Sequence, residues 1–348
     1  MDSISAYLKE HGLRLLHGDT DRFQAAGAFL AQKRVRQGRL QEFEAELAEL
    51  TRQAEEQGEN RVQIIGDWRL LRRIDRGGIG EVWLGERDAA EVRSHYPTIA
   101  AIKILRADKA HDRVFLQRFL QGAKRIQAVT HPVITSILSG PSFSNGRHYY
   151  AMEYVDAPDL ASWIAKRQLP YAETGAILEW TDPSSGDALW HIISTVAGGL
   201  SALHDKELIH GDVKPRNILV DRRGRVKLCD FDLVQFEPEC DSRDDPIGTL
   251  RFLAPEVRDG ERSTALSDQF SFAMTVVSIL SELGSSLHQT DLDPVELLRP
   301  LACTITLKSC LERALSPDPR HRYETIEGFM EGLGPEVLIV TDRGHARG

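Results

Sequence analysis

The spacing of apolar residues divides the chain into stretches that predict different secondary structure, and the first stretch is helical. Residues 1–60 contain no proline and are rich in Gln, Glu, Arg and Leu, which is a composition typical of helices. Apolar residues recur at intervals of three or four positions and predict an amphipathic helix, namely at Leu40, Phe43, Leu47, Leu50 and Ala54. We interpret residues 1–60 as an N-terminal helical extension that either folds onto its own chain or serves as a docking or dimerising arm.

Residues 61–155 predict mainly β-structure. Short runs of β-branched and aromatic residues alternate there with Gly and Asp turns, as expected of an antiparallel sheet. The runs cover residues 62–65, 68–71, 82–84 and 99–102, and residues 147–155 add a further strand. Between them, residues 112–128 change to a helical pattern.

Helical patterns dominate after Asp156. Residues 170–187 interrupt them with Pro, Gly, Ser and Thr, which favours a surface loop. Residues 276–283 belong to a strongly apolar segment and predict a buried helix.

Composition and charge exclude several classes of protein function. The chain has 348 residues, with 43 Lys and Arg against 52 Asp and Glu, and the formal net charge of −9 argues against a broad nucleic-acid or anionic-membrane surface. Its four cysteines (229, 240, 303 and 310) lack paired metal spacing and predict reduced thiols. The first residues lack a signal-peptide pattern, and no window approaches the ~18 apolar residues of a membrane span. We therefore expect a soluble cytoplasmic protein with no nucleic-acid or membrane partner.

Two features of the β-rich stretch suggest phosphate binding. Gly77, Gly78 and Gly80 lie between two predicted strands, where a backbone without Cβ atoms can approach a phosphate and donate amide hydrogens. Taken alone, a tight hairpin without a ligand explains these glycines equally well. Lys103 lies in an apolar strand, and a buried ammonium group needs an anionic partner, for which phosphate is one candidate.

The most informative chemistry lies in residues 208–220, which read Leu-Ile-His-Gly-Asp-Val-Lys-Pro-Arg-Asn-Ile-Leu-Val. Apolar runs bracket a loop that carries Asp212, Lys214 and Asn217, and a second apolar run, residues 226–229, precedes Asp230. Phosphoryl transfer needs this set of groups: a base that orients a hydroxyl, a cation on the migrating phosphate, and oxygen ligands for Mg²⁺. An Asp-rich hairpin without function would explain the acids but not the lysine and asparagine at these offsets.

With these motifs the chain resembles the eukaryotic-like serine/threonine protein kinases, from about Trp68 to Arg322. Three further segments match that family in order: residues 248–256, 267–272 and 317–322. The resemblance implies an α+β, two-lobed protein-kinase-like fold. A small antiparallel β lobe of five strands and one helix would lie within residues 61–155, and a larger helical lobe would cover residues 156–335. Residues 336–348 would form a C-terminal tail.

The resemblance also implies roles for individual residues and a requirement for ATP and Mg²⁺. Catalytic roles fall to Asp212 as the base or orienter of the substrate hydroxyl, Lys214 at the γ-phosphate, and Lys103 at the α- and β-phosphates. Asn217 and Asp230 would be the Mg²⁺ ligands. The remaining nucleotide-binding residues would be Gly77, Gly78, Gly80, Val82, Ala101, Met152 as gatekeeper, and Glu153 and Tyr154 in the hinge.

Other residues are assigned to the scaffold by the same resemblance. Glu256 and Arg322 would form a buried ion pair, and Asp268 would brace the backbone of the catalytic loop. Lys214 and Thr249 are typical of the serine/threonine branch of the family, which favours Ser or Thr as the acceptor.

Four positions depart from the family pattern. Asp75 stands where the first glycine of the phosphate loop is expected, and Gly122 stands where a helix glutamate would pair with Lys103. Asp232 replaces the glycine after Asp-Phe. Gly211 replaces the arginine before the catalytic aspartate, which removes the usual receptor for a phosphate on the activation loop.

These observations favour a protein serine/threonine kinase that does not depend on activation-loop phosphorylation. Six acids and one arginine lie between Asp232 and Asp245, which suggests a basic protein substrate, although a solvated loop explains them equally well. The departures keep open a pseudokinase scaffold that binds nucleotide and a partner, with residues 1–60 as a surface for a partner or for self-association. A small-molecule phosphotransferase is the second alternative.

Overall fold

The computed structural model describes two compact units of the chain. The first contains the described residues up to His111 together with Pro141–Tyr154, and the second contains Asp112–Gly140 and the described residues from Val155 onward. The described residues are 63–87, 97–179, 182, 184–231, 250–280, 294–299 and 304–334. The predicted N-terminal extension and C-terminal tail lie outside these ranges.

A six-stranded sheet dominates the first unit, with the strand order β1-β2-β3-β4-β6-β5. Its strands are β1 (Gln63–Ile65), β2 (Trp68–Arg76), β3 (Gly80–Glu86), β4 (Ile99–Leu105), β5 (Ile137–Ser144) and β6 (Arg147–Met152), and residues 137–140 of β5 are assigned to the second unit. The sheet has one strand more than the five predicted, because the predicted runs correspond to β1, β2, β3, β4 and β6, whereas β5, which joins β6 through a turn at Asn145 and Gly146, was not predicted. Neighbouring strands pair antiparallel from β1 to β4, and β4 pairs antiparallel with β6.

The register of the sheet decides which side chains share a face, because residues directly opposite each other in an antiparallel pair point to the same side. Two rows share one face: Val82, Lys103 and Tyr150, and then Leu84, Ala101 and Met152. The row of Glu81, Ile104 and Tyr149 therefore points to the opposite face. Both faces of β4 are covered, since every residue from Ala100 to Leu105 is buried.

Helices form most of the second unit. They are α1 (Arg113–Gln127), α2 (Leu160–Ala165), α3 (Ser185–His204), α4 (Pro255–Arg258), α5 (Ala265–Leu280), α6 (Pro294–Leu298), α7 (Ile305–Ala314) and α8 (Ile326–Leu333). The predicted buried helix is confirmed over residues 276–280 by α5, in which Val276 and Val277 are fully buried, and residues 281–283 lie outside the described ranges. Phe272 meets Phe329 of α8 edge to face at 6.0 Å between ring centroids.

Two short hairpins complete the second unit. Strands β9 (Ile218–Val220) and β10 (Val226–Leu228) pair antiparallel and carry the loop chemistry described below. Strands β7 (Gln168–Tyr171) and β8 (Ala176–Glu179) pair antiparallel in the stretch for which a surface loop was predicted.

The loop prediction for residues 170–187 is therefore wrong for the residues that belong to β7, β8 and the start of α3. Leu169 and Leu178 belong to the buried core of the helical unit, and α3 already begins at Ser185. The turn residues that favoured a loop include Gly175, which adopts a φ of 68° in the turn between the two strands. In the described ranges, no helix combines the length and the apolar character needed to span a membrane.

Candidate active site

The backbone of the loop between α3 and β9 is hydrogen-bonded to the side chain of Asp268 in α5. The Asp268 carboxylate accepts hydrogen bonds from the backbone amides of His210 at 2.8 Å and Gly211 at 2.9 Å. His204, at the end of α3, lies 2.9 Å from the same carboxylate through Nε2. Asp268 is almost completely buried, so these contacts compensate the loss of its hydration. The predicted bracing role of Asp268 is confirmed.

Gly211 adopts a φ of 78°, in the left-handed region where a side chain is disfavoured. Glycine reaches this conformation without a steric penalty. The departure from the family pattern at this position therefore relieves backbone strain while it removes a cation.

The carboxylate of Asp212 is fixed by two neighbours. Lys214 Nζ lies 2.8 Å from Asp212 Oδ2, and Asn217 Nδ2 donates to the same oxygen at 2.8 Å. Within the described ranges, Asp212 Oδ1 has no hydrogen-bond donor, so this oxygen is available to an incoming hydroxyl. A 3₁₀ turn, Pro215–Asn217, sets the spacing of these groups because it brings Asn217 back over Asp212.

The amide of Asn217 is oriented as a metal ligand requires. Its Nδ2 also donates to the backbone carbonyl of Asp212 at 2.8 Å, so both amide hydrogens have acceptors on Asp212, and no donor among the described residues contacts Oδ1. The backbone carbonyl of Asn217 accepts a hydrogen bond from the backbone amide of Cys229 at 2.9 Å. This bond places Asp230, the residue after Cys229, beside Asn217. An amide oxygen and a carboxylate are ligands that suit Mg²⁺, so the donor set fits this ion.

Asp230 itself adopts a φ of 59°, an uncommon conformation for a residue other than glycine. The strand that leads into it is tied down by neighbouring backbone. Leu228 exchanges backbone hydrogen bonds with Val133 and Thr135, at 2.7 and 3.1 Å. The conformation of Asp230 is therefore imposed by its surroundings, as is common at functional positions.

His210 is a buried part of this loop. Its Nδ1 accepts the amide hydrogen of Asp212 at 3.2 Å, and its ring lies 4.6 Å from the ring of Phe231 between centroids. Burial lowers the pKa of His210 below 6.5, although the carboxylates of Asp268, Asp212 and Asp230 oppose this shift. Because Nδ1 accepts a hydrogen bond, the neutral form of this imidazole carries its proton on Nε2.

This lowered pKa predicts a pH-dependent stability. Between pH ~6.5 and the lower pKa of the folded state, His210 binds a proton more readily in the unfolded chain than in the folded chain, so the free energy of unfolding decreases as the pH falls, by up to about 1.4 kcal/mol per pH unit. We expect His210→Gln, which does not titrate, to destabilise the protein less at pH 5.5 than at pH 7.5. Urea unfolding of both proteins at the two pH values measures this. An equal destabilisation at both would contradict a neutral, buried His210.

The first unit gathers the other predicted residues on one face of its sheet. Val82, Lys103, Ala101 and Met152 lie in the two adjacent rows that share a face. Lys103 is 5% exposed, at the position in the sheet where the apolar pattern of β4 is broken. These predicted nucleotide-binding residues are therefore neighbours.

A tight turn links β2 to β3 above Lys103. The amide of Gly77 donates to the carbonyl of Gly80 at 2.9 Å, and a Cβ atom at Gly80 would lie 2.9 Å from the carbonyl oxygen of Ile104. The same Cβ position is 3.6 Å from Cε of Lys103. Any larger residue at Gly80 would thus press on the strand that carries Lys103. Gly78 belongs to the same turn.

The predicted hinge residues Glu153 and Tyr154 follow β6 directly. Arg72 of β2 donates to the hydroxyl of Tyr154 at 3.2 Å, a contact that sequence reasoning missed. Arg72 pairs with Leu84, so it extends the row of Ala101 and Met152. Four arginines occur in β2, and nothing in their spacing distinguishes this one.

Some of the positions that depart from the family pattern lie among the described residues, and others do not. Gly122 is buried in the middle of α1, where glycine costs about 1 kcal/mol relative to alanine. Asp75 is exposed in β2 beside the glycine turn. Asp232, Ser242 and Thr249 lie outside the described residues.

The predicted ion pair between Glu256 and Arg322 is confirmed. The guanidinium binds the carboxylate in a bidentate manner, at 2.6 Å and 2.8 Å. Arg322 also donates to the carbonyls of Ser316 and Leu266, at 2.9 and 3.0 Å, and stacks over the ring of Phe270. Every nitrogen of this buried cation therefore has a partner.

Comparison with known proteins identifies the family. A family model for protein tyrosine and serine/threonine kinases matches residues 68–325. The serine/threonine-protein kinase PrkC of Bacillus subtilis is 27% identical over 76% of this chain and 40% of PrkC. PknB of Mycolicibacterium smegmatis is 31% identical over 76% of this chain and 43% of its own length. The chain thus spans about two fifths of the length of these curated relatives.

Solved structures agree with the fold. A point mutant of the PknI kinase domain of Mycobacterium tuberculosis superposes with a TM-score of 0.58 at 25% identity, over 78% of this chain and 98% of that domain. The expected two-lobed protein-kinase fold, with a small β lobe and a larger helical lobe, is thereby confirmed. Since the family model matches well over half of the sequence, this chain belongs to the protein tyrosine and serine/threonine kinase family.

Proposed function

We propose that the protein is a serine/threonine protein kinase that transfers the γ-phosphate of ATP to a Ser or Thr hydroxyl in a protein substrate. The observation that carries this proposal is the Asp212 carboxylate, whose Oδ2 is held by Lys214 and Asn217 while Oδ1 is left for an acceptor hydroxyl. Serine/threonine kinases are also the named function of the similar curated proteins. Two residues support Ser or Thr rather than Tyr as the phosphate acceptor: Lys214, two positions after Asp212, and Thr249.

The residues proposed for phosphate transfer lie in the second unit, and most of those proposed for nucleotide binding lie in the first unit. In the second unit, Asp212 orients the acceptor hydroxyl and accepts its proton, and Lys214 balances the charge on the migrating phosphate. Asn217 Oδ1 and the Asp230 carboxylate would hold Mg²⁺, which neutralises phosphate charge when bound.

The first unit would hold the nucleotide. Lys103 would bind the α- and β-phosphates beneath the Gly77–Gly80 turn, where backbone amides can meet the phosphates. Val82, Ala101 and Met152 supply an apolar surface for adenine, and Glu153 and Tyr154 provide its edge contacts. The hydrogen bond from Arg72 to Tyr154 orients the last of these side chains.

Nucleotide binding tests the proposal before any substrate is known. We expect ATP to raise the thermal midpoint of the full chain, and Mg²⁺ to increase the shift, because Asn217 and Asp230 bind the metal only together with the phosphates. An ATP-induced shift that Mg²⁺ leaves unchanged would contradict the proposed metal ligands.

We further infer that activity does not depend on phosphorylation of the activation loop. Gly211 provides no cation for a loop phosphate, and the six acids of residues 232–245 would repel one. We expect Ser242→Ala to keep at least half of the wild-type phosphate transfer rate, measured with radiolabelled ATP. Loss of activity in Ser242→Ala together with recovery in Ser242→Asp would overturn the inference.

The same acidic residues support a basic protein substrate through complementary charge. In a phosphorylation screen on arrayed peptides, Arg and Lys should be enriched around the phosphorylated Ser or Thr. A screen without this enrichment would remove the inference about charge but would leave the acceptor chemistry in place.

A pseudokinase scaffold is the second candidate. Gly122, buried in α1 at the place where the family carries a glutamate, is the observation that favours it. This candidate predicts an ATP-induced thermal shift without phosphate transfer to any protein or peptide, and an unchanged result in Asp212→Asn.

A further inference from the structure

An irregularity in β2 turns an aspartate toward the proposed nucleotide-binding face of the sheet. The register of β2 against β3 shifts by one residue between Arg73 and Asp75, as at a β-bulge. In a regular strand Asp75 would share the face of Arg73, two positions earlier. The shift instead places Asp75 opposite Val82, on the face that also carries Lys103. Bulges that re-aim a side chain in this way are common next to active sites.

The arginines on either side of Asp75 lie on the other face. Arg73 pairs with Trp83, and Arg76 pairs with Glu81. Their guanidinium groups lie 4.0 and 3.9 Å from Glu81 Oε1. Among the described residues, no cation or hydrogen-bond donor contacts the exposed carboxylate of Asp75. Aspartate is depleted in strands, so a ligand that hydrogen-bonds to this carboxylate would account for its position.

The charge of Asp75 limits which part of a nucleotide it can bind. A carboxylate repels phosphate groups, and the cation next to it in sequence, Arg76, is turned to the opposite face. The cation proposed for the phosphates, Lys103, lies two strands away, at a backbone separation of roughly 10 Å. The group that meets Asp75 is therefore a neutral hydrogen-bond donor.

The proposed function sets the order of the parts of the nucleotide along this face. Adenine would lie against Val82, Ala101 and Met152, and the phosphates would lie at Lys103. The sugar joins adenine to the phosphates, so it would lie beside the row that runs from Asp75 through Val82 to Lys103. Ribose carries two adjacent hydroxyl donors, and a carboxylate offers two acceptor oxygens. The two groups are thus complementary.

We propose that Asp75 binds the 2′- and 3′-hydroxyls of the ribose and makes the nucleotide site selective for this sugar. This role of Asp75 rests on the proposed function, because it requires a nucleotide at Lys103. Each hydroxyl donates a hydrogen bond to one carboxylate oxygen. Because hydrogen bonds to charged groups are among the stronger ones, we expect their loss to weaken binding by about tenfold.

Equilibrium binding to the full chain tests this role without any protein substrate. The probes are ATP and 2′,3′-dideoxy-ATP, both with Mg²⁺, and isothermal titration calorimetry gives the two dissociation constants. We expect the wild-type protein to bind ATP about tenfold more tightly than the dideoxynucleotide. In Asp75→Ala the affinity for ATP should fall to that for the dideoxynucleotide, whose own affinity should not change.

The same measurements separate the sugar contact from other roles of Asp75. If the carboxylate acted by repelling phosphates, Asp75→Ala would bind both nucleotides more tightly. If it only stabilised β2, Asp75→Ala would weaken the binding of both equally. Either result, or a wild-type protein that does not distinguish the two nucleotides, would overturn the inference and leave the proposed kinase activity in place. A chain that binds neither nucleotide would overturn both.

A matched control changes another exposed aspartate of the same unit. Asp67 lies in the turn between β1 and β2, and Asp67→Ala should leave both dissociation constants unchanged. Loss of the preference for ATP in Asp67→Ala as well would contradict a role specific to Asp75. Thermal unfolding without nucleotide establishes that both variants fold.

A second pair of titrations excludes a bridging metal ion. With ADP and 2′,3′-dideoxy-ADP in EDTA, we expect the wild-type protein to keep its preference for the ribose, because the proposed hydrogen bonds are direct. A preference that appears only with Mg²⁺ would overturn the direct contact between Asp75 and the sugar.

Discussion

Phosphate transfer by Asp212→Asn should be slower than that of the wild-type protein by a factor of about 10² to 10⁴, the usual contribution of a positioned general base. The amide keeps the shape of the side chain, but it cannot accept the proton of the acceptor hydroxyl. It also loses the charge that attracts Lys214 at 2.8 Å. Initial rates with radiolabelled ATP and a peptide acceptor measure the effect.

The control for this variant changes another aspartate in the same region. Asp221 follows β9 and accepts backbone hydrogen bonds from Arg223 and Arg225 at 2.8 and 3.0 Å, so Asp221→Asn alters a turn without touching the catalytic loop. We expect Asp221→Asn to retain activity, and Asp212→Asn to keep its thermal shift with ATP. Comparable activity of Asp212→Asn and wild type would remove Asp212 from the chemistry.

Arg322→Ala should lower the free energy of unfolding by about 3–5 kcal/mol, because it leaves the Glu256 carboxylate buried without its counter-ion. The side chain of Arg322 is 0% exposed, and that of Glu256 is 8% exposed. The substitution also removes the hydrogen bonds that Arg322 donates to the backbone carbonyls of Ser316, Leu266 and Pro317. Urea unfolding of the full chain measures the loss.

A neighbouring ion pair provides the control. Arg320, two residues away, binds Asp318 at 2.7 Å, but its side chain is 87% exposed. Arg320→Ala should therefore cost no more than about 1 kcal/mol, as is typical for surface pairs. If the two variants were equally stable, the buried pair would not be the element that holds this end of the helical unit together.

The catalytic loop was predictable because its spacing is chemically specific. An acid, a lysine and an asparagine at fixed offsets before a strand admit few geometries, and the contacts of Asp212 with Lys214 and Asn217 follow that pattern. The family resemblance grouped Val82, Ala101, Lys103 and Met152 as nucleotide-binding residues, and the register of the paired strands places them on one face.

Other features depend on contacts that the local sequence does not encode. The hairpin of β7 and β8 was taken for a loop because its turn residues are prominent, whereas the burial of Leu169 and Leu178 depends on helices distant in sequence. The bond from Arg72 to Tyr154 joins residues 82 positions apart. The positive φ of Asp230 likewise arises from the tertiary hydrogen bonds of its neighbours.

The proposed function requires Lys103 and Lys214 each to bind phosphate groups of ATP. An acyl-phosphate derivative of ATP, which acylates lysines beside its phosphates, tests this most directly when the labelled residues are located by mass spectrometry. We predict labelling of Lys103 and Lys214, suppressed by excess ATP with Mg²⁺. Labelling confined to other lysines, such as the exposed Lys166 and Lys206, or labelling that ATP does not suppress, would contradict the claim.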